Sequence, residues 1–230
     1  MSHRTITLGI DTSGGLLLVG AQKGEQHCVR RRKGIQQERL LFPAIQSALT
    51  ALGGKLQDVK KVCLVRGPGR FTGIRIALTC ASMLQQLNGA QVYGITAFEL
   101  LNRQVKQSGE WHRWQAQHPG GVLGIVLHAF REEYFLQIFD AESAGPVWLS
   151  REELLQRLAA YNHPLFLAGS DKNDASLAAL TGGKYPLAAD RDCHIRVNTL
   201  LGLAQDDSLQ AHALEPLYLK PARFELVNPQ

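Results

Sequence analysis

Apolar and polar residues in the first hundred positions follow patterns that predict alternating strands and helices. A helical stripe is clearest over 36–52, where apolar residues recur every three or four positions until Gly53-Gly54 ends it. A turn-rich segment, R-G-P-G-R-F-T-G, then leads into a second helix from about 72 to 87. The elements predicted here are strands at 4–10, 16–21, 26–32, 61–65 and 91–95 and helices at 36–52, 72–87 and 97–105.

The periodicity disappears over 106–120, where polar residues and two tryptophans alternate without order. We therefore expect a domain boundary at or just before this stretch, with lobes at 1–105 and 106–230 and a C-terminal segment able to pack back on the first lobe. Beyond the boundary the pattern starts again, with strands followed by helices, as expected for a second α/β lobe. Its predicted strands are 122–127, 134–139 and 164–168, and its predicted helices are 152–160, 175–180 and 199–205.

The helix predicted at 72–87 has no side that is clearly made for water. Arg75 is its only charged residue from Gly73 to Leu84, and Gly73, Ala77 and Ala81 form a ridge of small residues four positions apart. Such a helix needs cover on both faces, and a lobe of this size rarely supplies two covering layers. The pattern predicts that another chain packs on this ridge. The alternative is an internal position, against the helix at 36–52 or between the lobes.

Composition adds that the chain is an ordinary folded protein. Of its 230 residues, 45% are hydrophobic and 20% are charged, which excludes disordered, collagen-like and coiled-coil proteins. An uninterrupted apolar run long enough for a membrane span is missing, and Asp11 falls where a signal peptide would keep its apolar core. A cytoplasmic protein without membrane contact is expected. Its four cysteines are far apart, without a C-x-x-C pair, so reduced thiols are expected.

The net charge of +5 conceals an uneven distribution. Residues 1–104 contain 14 Lys and Arg against 5 Asp and Glu, whereas residues 105–230 contain 11 against 15. A basic half attracts polyanions such as RNA or an acidic protein. Its most concentrated part, Arg30-Arg31-Arg32-Lys33, is a candidate RNA-binding segment, and the alternative is a solvated strand end or turn.

Motifs that would signal catalysis are mostly missing. The histidines form neither H-E-x-x-H nor H-x-x-x-H, which excludes a two-histidine metal clamp on one helix, and G-x-S-x-G is also missing. The loop at 67–73 resembles a phosphate cradle without matching either common phosphate-binding motif. The turn at 11–13 follows the first strand, where actin-like ATPases place a metal-linked carboxylate. Candidate anion- or nucleotide-binding residues are therefore Asp11, Thr12, Ser13, Gly67, Gly69 and Arg70; the alternative in both segments is tight-turn geometry.

Five segments together resemble one known family. They are G-I-D-T-S up to Ser13, R-G-P-G-R-F-T-G-I-R-I from Arg66, the Leu-to-Pro43 stretch of the first helix, R-E-E-Y from Arg131 and P-L-Y-L-K from Pro216. In this order they resemble the TsaB/YeaZ family, the accessory subunit of the bacterial machinery that places threonylcarbamoyl on the adenosine next to the anticodon of certain tRNAs.

The resemblance implies an α/β fold with two actin-like (ASKHA) lobes, each an RNase H-like mixed sheet with helices. It implies a non-catalytic subunit that dimerises with the catalytic subunit TsaD and reaches TsaE and tRNA through the complex. Alone, such a subunit would form a homodimer. No resident cofactor is expected, although ATP or ADP could bind at an interface of the complex.

The resemblance also implies where the partner binds. In this family the first two helices of the first lobe pack on the same helices of TsaD. TsaD holds a metal through two histidines of its first-lobe helix, and alignment on Pro43 puts Gln37 and Leu41 at those positions, so neither a metal site nor a catalytic residue is expected. The predicted partner-interface residues are Gln37, Leu40, Leu41, Ala44, Gly73, Ala77, Ala81 and Leu84.

The chain also departs from the family pattern. Arg70 stands where most members have serine, which weakens the case for a nucleotide pocket or redirects it toward an anionic partner. His128 stands where a second-lobe aspartate is common. An alternative function, based on Asp11 and the glycine-rich loop, is an active ASKHA-type ATPase, small-molecule kinase or metallopeptidase.

Overall fold

The computed structural model describes residues 5–34, 36–141 and 145–220. Residue 4, the predicted start of the first strand, lies outside them. The strands are β1 (Ile6–Asp11), β2 (Leu16–Lys23), β3 (Gln26–Lys33), β4 (Val59–Val65), β5 (Gln91–Ile95), β6 (Val122–Phe130), β7 (Glu133–Ile138), β8 (Val147–Ser150) and β9 (Leu165–Ser170). The helices are α1 (Gln37–Ala51), α2 (Phe71–Asn88), α3 (Ala97–Lys106), α4 (Gly109–Gln117), α5 (Arg151–Ala159), α6 (Leu177–Thr181), α7 (Asp190–Cys193) and α8 (Val197–Gly202).

The chain folds as two compact units. The first contains the described residues up to Ala97 together with Arg196–Leu217, and the second contains Phe98–Ile195 and the described residues from Tyr218. The division therefore falls at 97/98, earlier than the expected 105/106. A segment near the C-terminus returns to complete the first unit.

The first unit is built on a five-stranded mixed sheet with the order β3-β2-β1-β4-β5. β2 is antiparallel to β1 and β3, whereas β1, β4 and β5 are parallel. This is the strand order of an RNase H-like sheet. Helices α1 and α2 pack on the sheet and share its main apolar core, in which Leu17, Val19 and Ala21 of β2 take part. Because neighbouring residues of a strand point to opposite faces, Leu16, Leu18 and Gly20 face away from that core.

A four-stranded sheet with the order β8-β7-β6-β9 forms the centre of the second unit. β7 is antiparallel to β6 and β8, and β9 is parallel to β6. β6 to β9 therefore repeat the pairing of β1 to β4. The expected α/β class, with one RNase H-like mixed sheet in each half, is confirmed. None of the helices in the described parts of the chain is long and apolar enough to cross a bilayer.

No element was expected from the sequence over 106–120, but α4 occupies most of this stretch. The Ser108 hydroxyl accepts a hydrogen bond from the Trp111 amide and so starts the helix. The Trp111 ring meets Phe166 of β9 edge-on at a centroid distance of 5.6 Å. Trp114 lies 5.2 Å from the same ring. Two aromatic side chains anchor this helix in place of a regular aliphatic stripe, which is why its periodicity is weak.

Candidate partner-binding groove and glycine-rich loop

The ridge of small residues on α2 lies inside its own unit. Gly73, Ala77, Ala81 and Leu84 are all buried, and the last three belong to the core under the first sheet. A Cβ at Gly73 would collide with the carbonyl oxygen of Thr12, so only glycine lets α2 approach the turn after β1 this closely. The ridge that the sequence predicts to be a partner interface is therefore not exposed, because its small residues permit close packing within the chain.

The predicted interface residues of α1 are mostly buried as well. Leu41 and Ala44 belong to the same core, and Leu40 is half-buried against it. The Gln37 side chain is buried, and its amide donates a hydrogen bond to the Gly14 carbonyl at 3.0 Å. The apolar stripe that periodicity detects on α1 is therefore the stripe facing the sheet, not the one available to a partner.

A groove remains open between α1 and α2, on the side of these helices that the sheet does not cover. We call it the α1–α2 groove; its volume is about 420 Å³. Phe42 and Phe71 stand at its margins with 42% and 56% of their surface exposed, which is high for side chains of this size. The apolar part of its lining is Leu41, Phe42, Phe71, Ile76, Cys80 and Met83.

Charged side chains border this apolar lining. Glu38 lies on the α1 side and Arg75 on the α2 side, and the Arg75 guanidinium sits 5.1 Å from the centroid of the Phe71 ring. Burial raises the pKa of the Cys80 thiol to about 11, so this side chain is neutral at physiological pH. An apolar centre with a polar rim is the anatomy of a protein–protein interface.

Of the groove residues, periodicity identified Leu41 but missed Phe42 and Phe71, which lie beside the core stripe. Phe42 follows the buried Leu41, and Phe71 begins α2 as an exposed aromatic. The apolar strip continues past the groove to Leu87, four residues after Met83 and therefore on the same side of the helix. The available signal was the presence of large apolar residues at positions that an amphipathic helix would expose.

The structure brings together the glycine-rich loop and the turn after β1, the two segments that contain the candidate anion-site residues. The two segments mainly contact each other. The Arg70 amide donates to the Ser13 carbonyl at 2.8 Å, and the Thr12 hydroxyl donates to the Gly73 carbonyl at 2.7 Å. A Cβ at Gly69 would collide with Ser13 backbone atoms. The close approach of the turn accounts for Gly69 and Gly73, whereas a Cβ at Gly67 would collide with the Leu217 carbonyl oxygen. The carbonyl oxygens that face the loop do not suit a phosphate.

Asp11, at the end of β1, is held by its own turn. The Ser13 amide and hydroxyl both donate to its Oδ1 atom, at 2.9 and 2.6 Å. Burial raises the pKa of this carboxyl above its ordinary value of 3.8, although the two hydrogen bonds from Ser13 act in the opposite direction. Together with the loop geometry, this arrangement favours a structural turn over a nucleotide site.

The raised pKa of Asp11 predicts a particular pH dependence of stability. The Asp11 carboxyl binds its proton more tightly in the folded protein than in the unfolded chain. Protonated Asp11 therefore stabilises the fold fully below the unfolded pKa, and this stabilisation is lost as pH rises through the folded pKa. Asp11→Asn keeps an oxygen acceptor for Ser13 but does not titrate. We expect its free energy of unfolding to fall less between pH 4 and pH 7, as denaturant unfolding would measure. A variant that follows the wild-type pH profile would contradict this assignment.

The four basic residues of β3 divide into two groups. Arg30 is anchored to α1, where its Nε donates to the Ser47 hydroxyl at 2.8 Å and its Nη2 donates to the Ser47 carbonyl at 3.3 Å. The exposed residues are Arg31, Arg32 and Lys33, which we call the basic edge. Arg30 therefore fixes the strand on the helix, and the other three remain available to solvent.

Within the described ranges, no group of three or more His, Cys, Asp or Glu side chains is arranged to hold a metal ion. Of the two residues that the resemblance places where a metal-binding relative would have histidines, Gln37 donates to a backbone carbonyl and Leu41 packs into the core.

Comparisons with known proteins agree with the resemblance found in the sequence. The family model described as "TsaD: tRNA N6-adenosine threonylcarbamoyltransferase" matches residues 35–122. The tRNA threonylcarbamoyladenosine biosynthesis protein TsaB of Bacillus subtilis (strain 168) is 23% identical over 195 residues, which cover 80% of each protein.

Two solved structures share the fold. YeaZ from Pseudomonas aeruginosa superposes with a TM-score of 0.65 at 20% identity, covering 94% of this chain and all of that one. A protein described as similar to peptidase YeaZ, also from P. aeruginosa, gives a TM-score of 0.64 at 19% identity with the same coverage.

Proposed function

We propose that this chain is a TsaB/YeaZ-type protein, which serves tRNA threonylcarbamoyladenosine biosynthesis as a non-catalytic accessory subunit docked on a TsaD-type threonylcarbamoyltransferase. The observation that carries the proposal is the open, apolar α1–α2 groove with two exposed phenylalanines. Exposing side chains of this kind to water costs free energy, which is recovered when a partner covers them.

The region that resembles TsaD supports the choice of partner. Residues 35–122 contain both helices of the groove, so a TsaD-type subunit would have counterparts of α1 and α2. Like helices can pack on like helices across an approximate two-fold axis, forming a bundle of four. Glu38 and Arg75, of opposite sign on the two sides of the groove, suit such a self-complementary arrangement.

The same logic extends to the remaining partners. Without TsaD, the groove would be covered by a second copy of this chain, giving a homodimer. TsaE and tRNA would join through the assembled complex. An accessory role agrees with the contacts at the two sites where activity would be sought: Gln37 is committed to a backbone carbonyl, and Asp11 is held by Ser13. The alternative of an ATPase, kinase or metallopeptidase rests on Asp11 and on a loop in which Gly69 and Gly73 accommodate the turn at 12–13.

Depletion of this protein from its host tests the proposal. We expect threonylcarbamoyladenosine in bulk tRNA to fall at least tenfold, as nucleoside mass spectrometry would measure, and to return when the wild-type chain is supplied again. Supplying Asp11→Asn should also restore the modification, since the proposal gives Asp11 no catalytic role. Unchanged threonylcarbamoyladenosine after depletion would refute the proposed function, and failed restoration by Asp11→Asn would refute its non-catalytic part.

A further inference from the structure

The basic edge lies on a strand whose outer side is open. β3 is at the end of the first sheet and pairs with β2 alone among the described strands. The middle of the strand is half-buried, whereas its last three residues, Arg31, Arg32 and Lys33, are all exposed. Within β3, no exposed side chain is large and apolar. The surface offers charge without the apolar centre that a protein partner normally needs.

These three cations have no carboxylate partner in the described parts of the chain: none lies within salt-bridge distance of Arg31, Arg32 or Lys33. The hydrogen bond from Arg32 Nη1 to the Arg31 carbonyl, at 3.0 Å, leaves both guanidinium charges uncompensated. Three adjacent like charges repel one another, and binding a polyanion removes that cost.

The spacing of the cations fits a chain of phosphates. Arg31 and Lys33 point to the same face of the strand, about 6.8 Å apart at a rise of roughly 3.4 Å per residue. Arg32 points to the opposite face, so the strand presents charge along both sides of its edge. Successive phosphates of a nucleic-acid strand are separated by a similar distance. Contacts of this type position a nucleic acid without reading its sequence.

We propose that the basic edge of β3 binds the phosphate backbone of the tRNA on which the complex acts. This inference rests on the proposed function, since it supplies the RNA partner of that function. It assigns the contact to Arg31, Arg32 and Lys33 and leaves Arg30 the structural role of fixing β3 to α1. Because the α1–α2 groove is lined by other residues, tRNA binding and subunit docking use separate surfaces.

The competing explanation is that the cations protect the sheet. Charged side chains on an edge strand prevent it from pairing with strands of other molecules. Such protection needs no RNA, and it would leave tRNA affinity unchanged when the charges are removed. The two explanations therefore differ in a measurable quantity.

The test compares two triple variants with the same change in net charge. Arg31→Gln/Arg32→Gln/Lys33→Gln neutralises the basic edge, and Arg113→Gln/Arg157→Gln/Lys184→Gln neutralises three exposed cations of the second unit. Fluorescence anisotropy would measure binding of an unmodified tRNA transcript over a range of salt, with the full chain alone and assembled with its TsaD-type partner. Size exclusion would check assembly, and thermal unfolding would check the fold.

We expect the basic-edge variant to bind tRNA at least tenfold more weakly. The slope of log affinity against log salt should become smaller by about 2 to 3, roughly one unit for each phosphate that the variant no longer neutralises. The control variant should bind like the wild type, and both should assemble normally. The inference would be overturned if both variants lost tRNA affinity equally or if neither lost any. It would also be overturned if polyglutamate at the same charge concentration displaced the tRNA. Wild-type chain that binds tRNA but does not assemble would instead contradict the proposed function.

Discussion

Phe42→Asp/Phe71→Asp is expected to abolish assembly with a TsaD-type subunit while the chain remains folded. Both rings are substantially exposed, so aspartate at these positions stays hydrated in the isolated protein. In the complex the two carboxylates would be buried at the margins of the α1–α2 groove in place of two aromatic anchors. Loss of one buried aromatic anchor costs about 2 kcal/mol, so the loss of two should weaken binding at least a hundredfold. Analytical ultracentrifugation or calorimetry would measure the loss.

Leu16→Asp is the matched control for this variant. Leu16 is as exposed as Phe42, at 42%, and belongs to the same unit. It lies on β2 and faces away from the core that the sheet shares with α1 and α2. Leu16→Asp should therefore assemble normally. Normal assembly of the double phenylalanine variant, or equal loss in the control, would show that the partner binds elsewhere.

Gly73→Ala is expected to destabilise the first unit severely. The new methyl group would collide with the Thr12 carbonyl oxygen, and because this is a backbone atom it cannot rotate away. Either α2 or the turn after β1 must move, which would strain the 2.7 Å hydrogen bond from Thr12 to the Gly73 carbonyl. Overpacking of this kind costs about 3 kcal/mol, a large fraction of the stability of a domain. Denaturant unfolding would measure the change.

Gly202→Ala provides the control. Gly202 ends α8 in the same unit, and a Cβ there would meet no heavy atom within 4 Å. This change should be neutral or stabilise the protein by up to about 1 kcal/mol, because alanine restricts the unfolded chain. If Gly73→Ala were equally harmless, close packing of α2 on the turn would not be what requires glycine.

The buried ridge reverses an expectation based on sequence. On the sequence interpretation, Ala77→Arg would block assembly and leave the lobe folded. Ala77 is fully buried in the core, so the arginine should instead unfold the unit, at a cost of about 3–5 kcal/mol for an unpaired buried charge. A helix that is apolar on every side must be covered, but its sequence does not say which side the chain itself covers.

Elements with strong periodicity could be predicted closely. The strand at 91–95 has the predicted bounds, and α1 and α2 each lie within about one residue of their predictions. β8 was missed because only four residues form it, and α4 was missed because two tryptophans replace its aliphatic stripe. Local patterns report local structure well. They do not report the tertiary contacts that decide which side chains remain exposed, such as those of the α1–α2 groove.

The return of Arg196–Leu217 to the first unit affects how the protein is made. Helix α8 buries Val197, Leu200 and Leu201, and the Lys61 ammonium on β4 donates to the Ala204 carbonyl at 2.9 Å. A nascent chain on the ribosome lacks these contacts until the whole intervening segment and the residues from 196 onward have been translated. The N-terminal half therefore cannot complete its fold while the intervening unit is synthesised, and one face of its sheet stays incompletely covered during that time. Premature termination before α8 would release an incomplete domain.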